Sequence, residues 1–283
     1  MNLAVGFFDG LHLGHQKILE RADAVLTFRN HPMTVFAPTC APALLMTSED
    51  RLAALESFVA TPSSPDERVV ALDFTPELAA QSPADFASWL GTRFPELQVL
   101  FCGPNWTFGA GGLGTADFLR MRGFNVETVP YAVGAGEPIS STRIRTALAA
   151  GHLELATALL GRPWNVTGQV ACGKGLGRTM GYPTLNIPWP EGLVKLPLGV
   201  YAVETFLGRG VANLGYAPTM GEQAWDRPML EVHLLDAEGT LPATDFLSVS
   251  FLRFLRPERT FASLEDLRTQ IAKDVEKTRA MTI

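Results

Sequence analysis

The first half of the chain alternates short apolar runs with segments of helical periodicity. Strands are predicted over Leu3–Phe8, Ala24–Phe28, Arg68–Leu72, Gln98–Cys102 and Asn125–Val129. Helices are predicted between and after them, over Gly14–Arg21, Glu49–Val59, Pro83–Phe94, Thr115–Arg122 and Ser141–Ala150. Strands that alternate with helices form βαβ units and a mostly parallel sheet. The pattern therefore predicts an α/β domain in the N-terminal half.

The pattern changes near Leu160. The segment Leu160-Gly161-Arg162-Pro163-Trp164 is typical of a connector, and Gly- and Pro-rich turns with little helix follow it. Short strands are predicted over Trp164–Cys172, Val200–Leu207, Gly210–Leu214, Leu230–Leu235 and Leu247–Leu255. Short strands separated by such turns favour a small antiparallel barrel. We therefore expect two domains, over residues 1–160 and 161–283.

A helix is predicted to close the chain. Ser263 with Asp266 resembles the capping box that begins many helices. The apolar residues that follow fall on one helical stripe: Leu264, Leu267, Ile271 and Val275. We expect this stripe to pack against the barrel.

Composition narrows the partners. The net charge is −6, whereas a nucleic-acid binder usually carries a basic patch, so no nucleic-acid partner is expected. Three cysteines, Cys40, Cys102 and Cys172, lie far apart and favour neither a metal motif nor a disulfide framework, which suits a reducing cytoplasm. The N-terminus resembles no signal peptide, and no apolar run approaches the roughly 20 residues of a membrane helix. We expect a cytoplasmic location without membrane association, and the oligomeric state stays open.

Candidate chemistry begins directly after the first strand. The segment runs Gly6-Phe7-Phe8-Asp9-Gly10-Leu11-His12-Leu13-Gly14-His15-Gln16 and opens a helix. Glycines allow close backbone approach to a ligand, and helix N-termini bind phosphate. His12 and His15 could both donate to phosphate oxygens there. A metal-binding histidine pair, which lacks a visible third ligand, and turn histidines without a role remain alternatives.

A second segment supports an anion site. Ile139-Ser140-Ser141-Thr142-Arg143-Ile144-Arg145 places helix-capping serines before two arginines in or near the first helical turn. Cations at that end oppose the helix dipole, and a bound anion would relieve the conflict. Solvated surface arginines are the alternative.

These two motifs resemble the nucleotidyltransferase family that carries His-x-Gly-His. Thr27–Pro32 and Gly103–Gly109 are similar to its FMN adenylyltransferase branch. The resemblance implies a Rossmann-like domain in which His12 and His15 stabilise charge on the triphosphate of ATP. The remaining nucleotide-binding positions that it implies are Gly6, Phe8, Asp9, Gly10, Asn105, Ser141, Thr142, Arg143 and Arg145.

The second half carries its own glycine-rich motif, which begins at Gly173-Lys174-Gly175-Leu176-Gly177-Arg178 and ends at Thr184-Leu185-Asn186. Glycines at this density suit a loop that folds over phosphates, with Lys174 supplying charge. Thr184 and Asn186 alternate along an extended segment, so both can face one ligand. Their oxygens suit Mg²⁺. A turn-rich loop without function is the alternative.

Glu231 alternates with apolar neighbours in Leu230-Glu231-Val232-His233-Leu234, so its side chain faces away from the core. By itself this predicts a solvated glutamate. The order of the surrounding motifs, from Gly173 to Leu255-Arg256-Pro257-Glu258, resembles riboflavin kinase. The resemblance implies a six-stranded barrel with a closing helix. It makes Glu231 the kinase base, Thr184 and Asn186 the Mg²⁺ ligands, and Gly173, Lys174, Gly175 and Gly177 nucleotide-binding residues.

Together the two resemblances span nearly the whole chain and are similar to the bifunctional riboflavin kinase/FMN adenylyltransferase family. They imply riboflavin, FMN, FAD and ATP as substrates or products, with Mg²⁺ as cofactor. Alternatives are an enzyme with one activity, a flavin- or nucleotide-binding regulator, and a fragment of an aminoacyl-tRNA synthetase, which shares His-x-Gly-His. A regulator should have lost Glu231, His12 or His15, and all three are present.

Three departures from the family pattern stand out. The segment between His15 and Val25 is short, which puts one edge of the sheet in doubt. Asn30 stands where proline is usual, and Gly239–Phe246 lacks a common Tyr-Gly-Arg. The last two changes concern loops near the substrates.

Overall fold

The computed structural model describes residues 1–59, 68–171, 181–216, 227–236, 241 and 243–281. The chain divides into two units, Met1–Arg143 and Ile144–Ile283. The predicted domain boundary between residues 160 and 161 lies further along the chain and stays a prediction.

The first unit contains a parallel sheet and its crossover helices. Its strands are β1 (Asn2–Val5), β2 (Ala24–Phe28), β3 (Val69–Leu72), β4 (Val99–Cys102), β5 (Thr107–Phe108), β6 (Gly114–Thr115), β7 (Val126–Thr128), β8 (Val133–Gly134) and β9 (Glu137–Pro138). Its helices are α1 (Leu13–Leu19), α2 (Met33–Phe36), α3 (Ser48–Phe58), α4 (Pro76–Ala80), α5 (Pro83–Arg93), α6 (Ala116–Met121) and the start of α7 (Ser141–Ala149).

The order of the five-stranded sheet is β3-β2-β1-β4-β7, and every pairing in it is parallel. The chain leaves β1 toward β2 and β3 on one side and later fills β4 and β7 on the other. Ligands of such sheets bind outside the carboxyl ends of the strands, at the point where the order reverses. That point lies at the end of β1, where the His12 motif begins.

Both faces of this sheet are buried. Leu3 and Val5 of β1 pack with Phe86 of α5 on one face, and Ala4 packs with Leu55 of α3 on the other. Strands covered on both faces read as continuous apolar runs, which is why the sequence predicts them well. The predicted α/β domain with a mostly parallel sheet is confirmed.

The short connection after His15 leaves the sheet intact. Helix α1 is only seven residues long, but β2 pairs with β1 from Ala24 to Leu26 and with β3 from Val25 to Phe28. The doubt about this edge of the sheet is therefore removed.

The second unit contains an antiparallel barrel. Its elements are α8 (Leu153–Leu160), β10 (Trp164–Gln169), β11 (Leu185–Pro188), β12 (Gly199–Thr205), β13 (Gly208–Gly215), β14 (Met229–Leu234), β15 (Phe246–Pro257) and α9 (Leu264–Arg279). The strand order is β10-β15-β12-β13-β14-β11, and a bridge between Ala171 and Asn186 joins the two ends of that order. The predicted six-stranded antiparallel barrel is confirmed, and α8 is an addition to the predicted elements.

One glycine permits this near-closure. A Cβ on Gly168 of β10 would lie 2.2 Å from Cγ2 of Ile187 on β11. No side chain fits at such a distance, so only glycine allows these two strands to approach. Inside the barrel, Tyr201 and Phe251 are fully buried and meet edge to face at 5.2 Å.

The closing helix begins as predicted, and Val275 of its apolar stripe packs against the barrel. Ser263 accepts from the backbone N–H of Asp266, as the capping box requires. Leu264 is 71% exposed, so the predicted stripe does not pack along its whole length. The most buried residues of α9 are polar: Gln270, Asp274 and Thr278. Burial follows this row because Asp274 forms an ion pair with Arg256 of β15.

Two candidate active sites

A strained turn follows β1 in the first unit. Phe8 and Leu11 have φ angles of 59° and 43°, and Gly10 has 82°. A non-glycine residue in this region costs on the order of 1–3 kcal/mol and persists only when its surroundings fix it. Phe8 and Leu11 are both buried, which holds them in place.

Asp9 ties this turn to two other segments. Its carboxylate accepts from the backbone N–H of Leu45 at 2.9 and 3.1 Å, and its backbone carbonyl accepts from the Ser141 hydroxyl at 2.9 Å. Two predicted nucleotide-binding residues, Asp9 and Ser141, therefore meet at the turn. In the structure, each forms hydrogen bonds that shape the site.

The two predicted histidines stack on each other. Their ring centroids lie 3.5 Å apart, and the His12 side chain accepts from the backbone N–H of His15. Burial lowers the pKa of His15 well below 6.5, and the charge of His12 lowers it further. Within the described residues, no group hydrogen-bonds to the buried Nδ1 of His15. A buried polar atom without a partner calls for one, and a phosphate oxygen would serve.

Helix α7 orients the predicted arginines. The Ser140 hydroxyl caps the helix by accepting from the Arg143 N–H at 3.2 Å. The Arg143 guanidinium lies against the β8–β9 hairpin, where it donates to Gly134 O at 2.7 Å and pairs with Glu137 at 3.3 Å. The charge of Arg143 thus has a protein partner, and its role toward ATP stays a prediction. Thr142 is exposed and Arg145 is half-buried.

A cavity of about 360 Å³ opens at the carboxyl ends of β1, β2 and β3. Its wall is largely apolar and rich in aromatic rings, and it includes Gly6 and Asn105, both predicted site residues. The aromatic residues in it are Phe7, Phe28, Phe36, Phe74, Phe86, Trp106 and Phe108. Ligand pockets are usually concave, about 300–1,000 Å³ in volume and mostly apolar. The cavity suits a flat, apolar ring system next to the histidine turn.

The unusual Asn30 shapes this cavity. Its side-chain amide donates to the Phe74 carbonyl at 3.0 Å and accepts from the Phe74 N–H at 2.8 Å. Phe74 is part of the cavity wall. Asn30 thereby fixes the backbone of a wall residue, which proline could not do through its side chain.

In the second unit, three polar residues stand side by side across the barrel. Asn186 of β11 pairs with Glu231 of β14, and Glu231 pairs with Asn213 of β13. Directly paired residues point to the same face of a sheet. Thr184 lies two residues before Asn186 and shares that face. Both predicted Mg²⁺ ligands and the predicted base therefore lie together.

Glu231 faces a cavity of about 380 Å³ whose wall includes residues of the barrel and of α9. Its side chain is exposed to this cavity, yet enough protein surrounds it that burial raises its pKa from 4.5. The nearby Glu258 raises the pKa of Glu231 further. A carboxylate with increased proton affinity is better suited to act as a general base.

Glu258 is a site residue that the motifs did not single out as functional. It accepts from the Asn213 amide at 3.3 Å. A Cβ on Gly215 would lie 1.8 Å from the Glu258 carboxylate, so glycine at this position lets the carboxylate approach the barrel. The motif Leu255-Arg256-Pro257-Glu258 did not indicate that Glu258 faces the same cavity as Glu231.

A buried polar network forms another part of the same cavity wall. Asp274 of α9 pairs with Arg256 at 2.9 Å and accepts from Gln270 at 2.8 Å. Arg259 donates to Gln270 in turn. The predicted phosphate-loop residues Gly173, Lys174, Gly175 and Gly177 lie outside the described residues.

Comparison with known proteins shows which families the two halves of the chain resemble. The family model for riboflavin kinase matches residues 160–282, and the model for FAD synthetase matches residues 1–143. The bifunctional riboflavin kinase/FMN adenylyltransferase of Pseudomonas fluorescens is 37% identical over 98% of this chain and 91% of its own length. Its counterpart in Bacillus subtilis is 33% identical over 96% of this chain and 89% of its own length.

The chain belongs to the bifunctional riboflavin kinase/FMN adenylyltransferase family. The resemblance drawn from the motifs is confirmed, and the alternative of an aminoacyl-tRNA synthetase fragment is excluded. A crystal structure described as a macrolide-efflux protein from Streptococcus pneumoniae has the same fold, with a TM-score of 0.82, 26% identity, and coverage of 99% of this chain and 94% of the other.

Two features were sought in the described residues: membrane-spanning helices and clusters of metal-binding side chains. No helix in the described part of the chain has the length and hydropathy to cross a membrane. Nor does that part bring together three or more His, Cys, Asp or Glu side chains that could hold a metal. The second finding gives no support to a metal site at His12 and His15.

Proposed function

We propose that the cavity at Glu231 binds riboflavin and that Glu231 takes the proton of its 5′-hydroxyl. That oxygen then attacks the γ-phosphorus of ATP, the bond to ADP breaks, and FMN is formed. The observation that carries this proposal is the row of Asn186, Glu231 and Asn213 beside the cavity. Phosphoryl transfer depends mainly on positioning and charge stabilisation, and the row supplies oxygens and a base in one place.

The proposed metal is Mg²⁺, held by the Thr184 hydroxyl and the Asn186 amide oxygen. The donor set fits, because Mg²⁺ prefers a few hard oxygen ligands and keeps phosphate oxygens and waters at its other positions. Asn186 already uses its amide nitrogen to donate to the Thr184 carbonyl at 3.4 Å, which makes its oxygen the candidate ligand. Mg²⁺ bound here would neutralise charge on the phosphates.

For the second step, the aromatic cavity of the first unit would receive the flavin ring of FMN. The FMN phosphate then attacks the α-phosphorus of ATP, the bond to pyrophosphate breaks, and FAD is formed. The nucleophile is already an anion, so no general base is required. His12, His15, Thr142, Arg143 and Arg145 are the proposed partners of the triphosphate, and the partnerless Nδ1 of His15 supports this assignment.

We place the enzyme in the cytoplasm, where its substrate ATP is made available and where thiols such as the buried Cys102 stay reduced. The test of function is a time course with riboflavin, ATP and Mg²⁺, followed by chromatography of the flavins. FMN should rise first and FAD should follow, and a chelator should stop the reaction. A preparation that is folded and makes neither product would contradict the proposal.

A further inference from the structure

Helix α3 carries a fully buried arginine beneath the first site. Arg51 has an exposed fraction of 0%. One terminal nitrogen donates to the Phe7 carbonyl and to the Thr27 hydroxyl, both at 3.0 Å. The other donates to the carbonyls of Phe28 and Arg29, at 2.6 and 3.2 Å.

The burial of this charge is costly. A buried cation loses its hydration and is retained only with good hydrogen bonds. Burial lowers the pKa of Arg51 to about 10, although the charge of Asp9 acts in the opposite direction. Leu55, one turn further along α3, shows that an apolar residue suits this face. Packing alone therefore gives no reason for an arginine at this position.

That reason lies in the residues that Arg51 holds. Phe7 and Phe28 both line the aromatic cavity, and the guanidinium stacks 4.1 Å from the centroid of the Phe7 ring. The Phe7 carbonyl also stands at the entrance to the strained turn that ends at His12. Arg51 thus bonds at once to the cavity wall and to the beginning of the histidine turn.

A second hydrogen bond to the turn comes from the segment that precedes α3. Leu45, which precedes α3, donates its N–H to the Asp9 carboxylate inside the turn. The segment from Leu45 to Arg51 therefore fixes the turn at two points, Phe7 and Asp9. Phe8 has a positive φ angle and sits between them.

We propose that Arg51 is a positioning residue for adenylyl transfer. It sets the distance between the cavity and the histidine turn, so that the phosphate of a flavin in the cavity meets the ATP α-phosphorus in line. This inference rests on the proposed assignment of the first site. A displacement of about 1 Å at a reacting centre can cost roughly 10²-fold in rate.

The experiment uses the full chain in four forms: wild type, Arg51→Met, Arg51→Lys and Arg120→Met. Arg120 is the matched control, because it also donates to a strand carbonyl, Val126 O at 2.8 Å, and to a threonine hydroxyl, Thr128 at 3.0 Å. These two partners lie on β7, at the edge of the sheet, and Arg120 also pairs with Asp117 of its own helix. For each form, kcat and KM for FAD formation from FMN are measured well below the thermal transition, together with the rate of riboflavin phosphorylation.

We expect Arg51→Met to lower kcat for FAD formation by about 50-fold or more, since positioning acts on the bound state. Arg51→Lys should fall between it and wild type. Arg120→Met should stay within about threefold, and riboflavin phosphorylation should be unchanged throughout. A structural role alone would lower the melting temperature and leave kcat per folded molecule unaltered.

The inference is overturned if kcat of folded Arg51→Met stays within threefold of wild type, or if Arg120→Met loses as much. Should Arg51→Met not fold, Arg51→Lys decides: a lowered kcat supports the role and a normal kcat overturns it. A folded wild type that makes FMN but no FAD would instead contradict the site assignment on which the inference rests.

Discussion

At the scale of single residues, Glu231 is where two interpretations diverge most. Its strand position alone predicts a solvated glutamate. The structure places this exposed side chain on the wall of a cavity beside Asn186 and Asn213, with its pKa raised by burial and by Glu258. Removal of the ionisable carboxyl group should not change the reaction rate if Glu231 is a surface residue, and should lower it strongly if Glu231 is the general base.

We predict that Glu231→Gln nearly stops riboflavin phosphorylation while FAD is still made from added FMN. Gln keeps the shape but accepts no proton, and loss of a general base typically costs about 10²–10⁴ in rate. The melting temperature should not change. The matched control is Glu204→Gln, on an exposed position of β12, which should leave both rates intact. Phosphorylation within about threefold of wild type in a stable Glu231→Gln variant would show that Glu231 is not the general base.

A second prediction concerns the pH dependence of stability. The pKa of His15 is lowered well below 6.5 in the folded state, so the unfolded chain takes up a proton first as pH falls. The stability that neutral His15 provides is thus complete above about pH 6.5 and is lost as pH falls below it. Replacing His15 by Gln should flatten the decline in melting temperature of the ligand-free protein between about pH 8 and pH 5. Identical declines in the two proteins would show that His15 does not titrate in this way.

The site residues predicted from recognisable motifs lie where the fold can bring them together, and their roles stay predictions. His12, His15, Thr184, Asn186 and Glu231 all lie beside a cavity, on a turn or on a shared barrel face. Arg51 and Glu258 were missed because their partners are distant in sequence: backbone carbonyls and the Thr27 hydroxyl for Arg51, and the Asn213 amide for Glu258. The one local sign was Arg51 four residues before the buried Leu55, which places a charge on the apolar face of α3.

At the scale of elements, α9 packs against the barrel as expected, but its most buried row is polar rather than apolar. The pairing of Asp274 with Arg256 could not be predicted from the helix alone, because the partner lies on a strand. By contrast, β2 has its predicted bounds, Ala24–Phe28, because charged residues flank one apolar run. Strand β1 ends before its apolar run does, since the backbone turns through Phe8.

We predict that Asp274→Asn destabilises the barrel unit by about 3–5 kcal/mol, because it leaves the largely buried Arg256 without its counter-charge. The side chains of this pair are 16% and 1% exposed. Asp236→Asn is the control, since the Arg279–Asp236 pair is 58% and 89% exposed and should contribute no more than about 1 kcal/mol. Chemical denaturation followed by circular dichroism measures both. Equal losses of unfolding free energy in the two variants would show that the buried pair contributes no more to stability than the exposed pair.

At the scale of the whole molecule, the two motif sets fall on either side of residue 160, and we expect neither to require a residue from the other. We predict that a fragment of residues 162–283 converts riboflavin to FMN by itself. The barrel strands and α9 all lie within this fragment. The measurement is chromatography of riboflavin and FMN after incubation with ATP and Mg²⁺. A fragment that folds by circular dichroism and makes no FMN would show that the boundary or the independence of the barrel is wrong.

If the two sites on this chain act separately, a variant defective in one site should complement a variant defective in the other. The most direct test incubates riboflavin, ATP and Mg²⁺ with Glu231→Gln, with His15→Ala, and with both variants mixed. Losing one phosphate donor commonly costs about 10²–10³ in rate, so His15→Ala alone should stop at FMN, while Glu231→Gln alone should leave riboflavin unreacted. The mixture should make FAD, because FMN released by one variant is the substrate of the other. A mixture of folded variants that makes no FAD, or either variant alone making FAD at the wild-type rate, would contradict the account.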